Sequence, residues 1–267
     1  MRRHLLIVRA GDRSLHPGWL AGARDWDLHI SYFGDRDAPY ALGDGVTLSR
    51  EKGPKWIGLK ECLAHHVDML ERYSHIGFPD DDLAASAAMW NVAFATVEET
   101  GAALAQPALD PRSFYSYDIT LRRPWLRYRE TDFVELMCPI FRVDFLRKLL
   151  STFDLNKSSW GLDMIWRETA RRDGDKLVIV DGAAVLHTRA IGKGAQYSAS
   201  NLEGRSQYDE YREVLAQHGI VDTSRHSLRG VRLDGTAETS FRKLNRHRTF
   251  AGLRRKWRAF AGIERLS

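Results

Sequence analysis

Apolar and polar positions switch between two periods along the first half of the chain. Residues 4–9 contain the unbroken apolar run Leu5-Leu6-Ile7-Val8 and read as a buried strand. Small and polar residues follow at Ala10-Gly11-Asp12-Arg13-Ser14, a loop. Residues 25–33 alternate apolar and polar side chains, which predicts a second strand ending at Gly34-Asp35. Leu59, Leu63, Val67 and Leu70 recur at helical spacing and predict a helix over residues 60–73. Residues 74–78 read as a third strand that runs into Asp80-Asp81-Asp82. The Ala-rich stretch 83–105 predicts a helix broken by Gly101 and stopped before Pro107. Strand and helix in alternation predict an α/β domain with a central, mostly parallel sheet flanked by helices. Ligands of such sheets gather at the carboxyl ends of strands, where Gly11-Asp12, Gly34-Asp35 and Asp80–Asp82 would lie.

The second half is less regular. Residues 133–142 form an apolar strand-like run with one acid, Glu135. Residues 143–153 read as a helix, and Trp160-Gly161 as a turn leading into a helix through Arg171. Residues 176–181 and 183–187 read as strand, closing on His187. The Gly- and Ser-rich stretch 192–207 reads as a mobile loop. A boundary near residue 230 would separate a folded body, 1–230, from a C-terminal tail, 231–267.

Composition changes this picture at one place. Overall the chain is ordinary for a globular protein of 267 residues, with 43% hydrophobic and 28% charged side chains. Its net charge of +5 is unevenly spread. Residues 241–267 hold nine Lys/Arg and one acid, about +8, so residues 1–240 sum to about −3. In that tail Phe250, Leu253, Trp257, Phe260 and Ile263 fall on one face of a helix, with Arg254, Arg255, Lys256 and Arg258 opposite. Such a helix packs on the body, or lies on an anionic membrane surface. Nucleic acid is not the expected partner, because the body is slightly acidic and carries no recognisable nucleic-acid module. No eighteen-residue apolar run and no signal-peptide core is present, so a cytoplasmic protein is expected, peripheral on the inner face of a membrane if the tail binds lipid. Cys62 and Cys138 lie in apolar surroundings and read as buried free thiols.

Three positions carry candidate chemistry. Asp80 and Asp82, at i and i+2 of an extended segment, point the same way and converge. Two close carboxylates repel, and a divalent cation relieves the repulsion. Hard oxygen ligands suit Mg²⁺ or Mn²⁺, which keep open positions for water and phosphate. The other reading is that Asp82 caps the following helix and its neighbours are solvated. Asp163, after Trp160-Gly161-Leu162, either caps a helix or is a general base beside an aromatic that shapes a pocket. His187, at the end of an apolar strand, is either structural or a ligand completing a carboxylate metal site.

The series Asp-x-Asp, Asp after Trp-Gly, then strand-end His resembles metal-dependent glycosyltransferases of the GT-A fold. The strings Gly11-Asp12-Arg13-Ser14-Leu15-His16, Gly53-Pro54-Lys55-Trp56, Phe78-Pro79-Asp80-Asp81-Asp82-Leu83, Gln106-Pro107-Ala108-Leu109-Asp110, Val134-Glu135-Leu136-Met137-Cys138-Pro139-Ile140-Phe141 and Trp160-Gly161-Leu162-Asp163-Met164 resemble a family of plant and bacterial proteins. That family is known as a domain of unknown function and is treated as glycosyltransferases. The resemblance covers roughly residues 4 to 190. It implies a GT-A-like fold and a nucleoside-diphosphate-sugar donor, with a glycan or lipid-linked acceptor. Asp80, Asp82 and His187 would hold Mn²⁺ or Mg²⁺, with Asp81 near the ribose or the metal's waters. Gly11, Asp12 and Asp35 would lie near the nucleotide, and Lys55 would meet a phosphate or stay solvated. Asp163 would be the base of an inverting transfer. Trp160 and Gly161 would flank the acceptor, and Glu135 would be paired or face it. The alternatives are a non-catalytic GT-A-like module that binds carbohydrate or protein, and a metal-dependent phosphoryl-transfer enzyme.

Overall fold

Leu5 to Val8 are buried on both faces of the sheet, so the first strand is central rather than an edge. A computed structural model of the chain describes residues 2–191, 202 and 204–246. Its elements in chain order are β1 (His4–Ala10), β2 (Trp26–Tyr32), β3 (Val46–Arg50), α1 (Lys55–His65), α2 (Met69–Arg72), β4 (His75–Gly77), β5 (Leu83–Ala84), α3 (Ala87–Thr100) and β6 (Leu104–Leu109). They continue with β7 (Leu126–Thr131), β8 (Ile140–Arg142), α4 (Val143–Leu149), α5 (Leu162–Asp173), β9 (Leu177–His187), α6 (Gln207–Gln217), β10 (Ser227–Arg232), β11 (Ala237–Glu238) and α7 (Phe241–Leu244).

One large sheet runs in the order β11-β10-β7-β9-β6-β8-β4-β1-β2-β3, and β5 pairs with the end of β9. The half built from β3, β2, β1 and β4 is parallel; β1, β2 and β4 were expected from the sequence, and β3 adds an edge strand that was not. The other half is mixed: only β6 and β9 are parallel, and β8, β7, β10 and β11 join antiparallel. Helices flank the sheet on two cores. One core is aromatic, with Trp56 of α1, Phe78, Phe141, Phe153 and Trp166 of α5 meeting edge to face. The other packs Trp19 and the α3 residues Trp90, Ala93, Phe94 and Val97 against β1 and β2. Cys62 and Cys138 are free and buried, as expected.

Several element readings change. The helix expected over 60–73 begins earlier, at Lys55, and breaks at His66, whose backbone (φ −127°, ψ 56°) is not helical. Val67 is 62% exposed, so the apolar stripe drawn through it is not a buried face. The helix expected over 83–105 is α3 alone. Ser86 caps its start by accepting from the Met89 N–H at 3.3 Å, so Asp82 is not a helix cap. Gly101, at φ +63°, ends it, and residues 104–109 become strand because sheet pairing overrides the helix propensity of Ala. Pro107 sits where the β6–β9 register shifts, a bulge that tolerates a residue without an N–H. β10 runs through residue 230, where a boundary was expected, and α7 packs beyond it, so the sheet continues into the stretch read as tail. The remainder of the basic tail, and most of the stretch read as a mobile loop, lie outside the described residues.

Candidate metal and nucleotide-sugar site

Burial of Phe78 anchors the acidic segment. Its ring packs on Trp56 and Phe141, and its N–H donates to Pro139 O at 2.8 Å. Beyond it the chain leaves β4, and each acid is pinned through its backbone. Asp80 N–H donates to Met137 O at 2.8 Å, Leu15 N–H donates to Asp81 O at 2.7 Å, and Thr188 donates to Asp82 O from both N–H and hydroxyl. β5 then pairs Leu83 with His187, which fixes the imidazole beside Asp82. His187 Nε2 lies 3.2 Å from Asp82 Oδ1, and Nδ1 lies 2.8 Å from the Phe114 carbonyl. That carbonyl fixes the ring and frees Nε2 to ligate. Ligand atoms of Asp80, Asp82 and His187 lie within 4.8 Å of one another.

The charges there are poised for a cation. Burial pushes the Asp80 carboxyl up, and the Asp82 charge adds to this while Lys55 opposes it. Asp81 is also pushed up by burial, against the pull of the Gly11 N–H (3.1 Å) and Arg189 (3.0 Å). For His187 burial acts downward, but the Asp82 contact and the Asp80 charge outweigh it and the net shift is upward. Asp82 Oδ1 is buried and, despite its closeness to His187, has no aligned hydrogen bond. A buried carboxylate oxygen without a donor is costly. Two carboxylates, one of them with this orphaned oxygen, and an imidazole fit Mn²⁺ or Mg²⁺. Lys55 Nζ, 2.5 Å from Asp80 Oδ1 and 2.8 Å from Leu136 O, supplies part of the needed positive charge.

These residues form the floor of a cleft of about 1030 Å³ at the carboxyl end of the strands. Asp163, Glu135, Trp160 and Gly161 line the same cleft. Gly161, at φ +96°, starts α5, and the space a Cβ would take is filled by Val214 at 2.9 Å. Asp163 follows in the first helical turn and accepts from its neighbour's N–H, Met164, at 3.0 Å. Burial pushes its carboxyl up to about 6, with Arg225 pulling the other way. Glu135 lies on a loop rather than in the strand expected there, since only residues from Ile140 onward pair. Burial, then the charge of Asp163, push its carboxyl up to about 8, and its Oε1 has no partner. The pairing option for Glu135 is therefore not realised at that oxygen.

Gly11, Asp12 and Asp35 do not line the cleft. Gly11 stands at its rim, holding Asp81 and backing Phe33, whose ring would meet a Cβ there at 2.7 Å. Asp12 accepts from the Tyr32 hydroxyl and faces Arg36 at 3.6 Å. Asp35 is exposed and paired with Lys52 at 2.6 Å. Cleft residues that the sequence reading missed include Arg9, Phe33, Tyr117, Arg189 and Tyr211. Arg9 gave a signal, a lone cation closing an apolar strand. It is buried and donates to Ser31 Oγ, Glu51 O and Gly53 O at 2.8–2.9 Å, with its guanidinium 5.4 Å from the Phe33 ring centre. Arg225, stacked on Tyr117 and Phe133, gave none, because it arrives from 62 residues beyond Asp163.

No family model and no curated protein matches this sequence. Among solved structures, one described as a crystal structure of GalNAc-T7 with UDP, GalNAc and Mn²⁺ superposes with a TM-score of 0.56 at 13% identity. The match covers 81% of this chain and 48% of that one, so the chain spans about half the length of the structure it resembles. At this identity the likeness establishes the fold, which is that of GT-A-like glycosyltransferases.

Proposed function

We propose that this protein is a metal-dependent glycosyltransferase that moves a sugar from a nucleoside-diphosphate sugar to a hydroxyl of a glycan or lipid-linked acceptor. The observation that carries the reading is the convergence of Asp80, Asp82 and His187, with Asp82 Oδ1 unpaired, on the floor of a large cleft at the strand ends of a GT-A-like sheet. When bound there, Mn²⁺ or Mg²⁺ would act as a Lewis acid toward the diphosphate. Arg189 and Lys55 add fixed positive charge at the same place. Asp163 takes the proton of the acceptor hydroxyl as its oxygen bonds to the anomeric carbon. The bond from that carbon to the diphosphate oxygen breaks, and its electron pair leaves on the nucleoside diphosphate. An in-line base of this kind inverts the anomeric centre. Trp160 and the protonated Glu135 supply a wall and a hydrogen-bond donor for the acceptor. Action in the cytoplasm at the inner face of a membrane belongs to the same reading, supported by the basic composition of residues 241–267.

Titration calorimetry with UDP and GDP, with and without Mn²⁺, tests this. Wild type should bind one of them at least tenfold tighter with metal, and Asp80→Ala/Asp82→Ala should lose that gain. A second reading, a GT-A-like module that binds without catalysing, is favoured by one contact: Lys55 on Asp80 already offsets one carboxylate. It expects affinity unchanged by EDTA.

A further inference from the structure

A second ligand set lies on the opposite edge of the sheet. His4 opens β1 and His75 opens β4, and the two are direct partners across that parallel pair. Glu98, in the last turns of α3, reaches over both. One ligand atom from each of the three lies within 4.8 Å of the others. At about 3.3 Å per residue, the seven residues of β1 put this cluster on the order of 20 Å from the acidic floor of the cleft.

The partnering at this cluster is incomplete. His4 is 93% buried, yet neither of its ring nitrogens makes a hydrogen bond. Its Nε2 lies 3.1 Å from Glu98 Oε1, close enough for contact but not aligned as a hydrogen bond. The ring is stacked flat against Phe94, centroids 4.6 Å apart and planes 2° apart. His75 has Nδ1 at 3.1 Å from Ser74 Oγ, which leaves its other nitrogen to ligate. Glu98 is more than one-third exposed, and Arg3, 72% exposed, touches it only at 3.8 Å. A cation arriving from solvent would meet the carboxylate first and displace the exposed Arg3 side chain.

We propose that His4, His75 and Glu98 form a zinc site, separate from the cleft. Two imidazoles and one carboxylate are a zinc ligand set, with water completing a tetrahedron. Bonds of 2.0–2.1 Å put tetrahedral ligand atoms about 3.3 Å apart, close to the 3.1 Å between His4 Nε2 and Glu98 Oε1. Bound zinc would tie β1, β4 and α3 together at their solvent edge.

Co²⁺, which takes zinc's place and absorbs visible light strongly when tetrahedral, separates this site from the oxygen-rich one. The metal-free full chain is titrated with Co²⁺ as wild type, Asp82→Ala, His75→Ala and Glu98→Gln. Wild type and Asp82→Ala should develop the same intense bands with one equivalent. His75→Ala and Glu98→Gln should need at least tenfold more Co²⁺, and added Zn²⁺ should bleach the wild-type bands. Glu98→Gln alters only a partly exposed side chain, so folding does not obscure it. Bands that persist unchanged in Glu98→Gln, that vanish in Asp82→Ala, or that never appear would each overturn the proposal.

Discussion

Asp163→Asn should remove activity and make the protein more stable, with a pH dependence that identifies the cause. Burial raises the Asp163 carboxyl from 3.8 to about 6, with the Arg225 attraction already opposing that rise. At 1.36 kcal/mol per pH unit, keeping this group ionised in the fold costs about 3 kcal/mol at pH 7.5. Because the folded value lies above the unfolded one, the group's contribution is favourable below about pH 4 and is lost as pH rises through 6. The cost is about 1 kcal/mol at pH 4.5 by the same linkage. The amide keeps the acceptor oxygen for Met164 N–H and carries no charge. Urea unfolding at 25 °C should therefore show the variant more stable by up to about 3 kcal/mol at pH 7.5 and by about 1 kcal/mol at pH 4.5. Transfer should fall by roughly 10²–10⁴-fold, the loss of a positioned base. A variant equally destabilised at both pH values, or one with normal transfer, would refute the assignment of a buried, ionised base.

Other consequences follow from the same geometry. If Asp163 must be ionised, kcat/KM should fall about tenfold per pH unit below about 6; a flat profile down to pH 4.5 contradicts this. Glu135, raised to about 8, is protonated at neutral pH. Glu135→Gln should retain activity at pH 7 and lose any decline above pH 8, and an inactive Gln variant would show that the carboxylate form is required. Phe78→Ala removes the ring beneath the acidic segment and should cost about 3–5 kcal/mol of stability; a loss below 1 kcal/mol would show that Phe78 does not anchor the site. A chain ending at residue 246 should float less with anionic liposomes than the full chain, since each cation near such a surface adds about 1 kcal/mol; equal flotation removes the membrane role of the tail.

Where the chemistry was readable, the sequence carried it locally. Asp80 and Asp82 share a direction because extended backbone alternates, and the fold keeps them together. His187 could be flagged as a strand-end imidazole, but its pairing with Asp82 depends on β5 meeting β9, a contact 104 residues apart in sequence. In the parallel half, β1 and β4 were legible as short apolar runs and β2 by its alternation, whereas β3 (Val46–Arg50) was not read as a strand. β6 was not, since Leu104-Ala105-Gln106-Pro107 has neither β propensity nor alternation and is a strand only because β8 and β9 enclose it. Arg225 escaped for the same reason. Its importance lies in the Tyr117 and Phe133 rings it stacks on and in Asp163, and periodicity does not report that.

The most direct test of the metal–diphosphate site is a crystal soaked with Mn²⁺ and UDP, measured at a wavelength where manganese scatters anomalously. An anomalous peak about 2.0–2.3 Å from a carboxylate oxygen of Asp80, one of Asp82 and His187 Nε2, in contact with the diphosphate, is the expected result. UDP bound in the cleft with no manganese beside Asp82, its phosphates instead on Lys55 and Arg189, would contradict it.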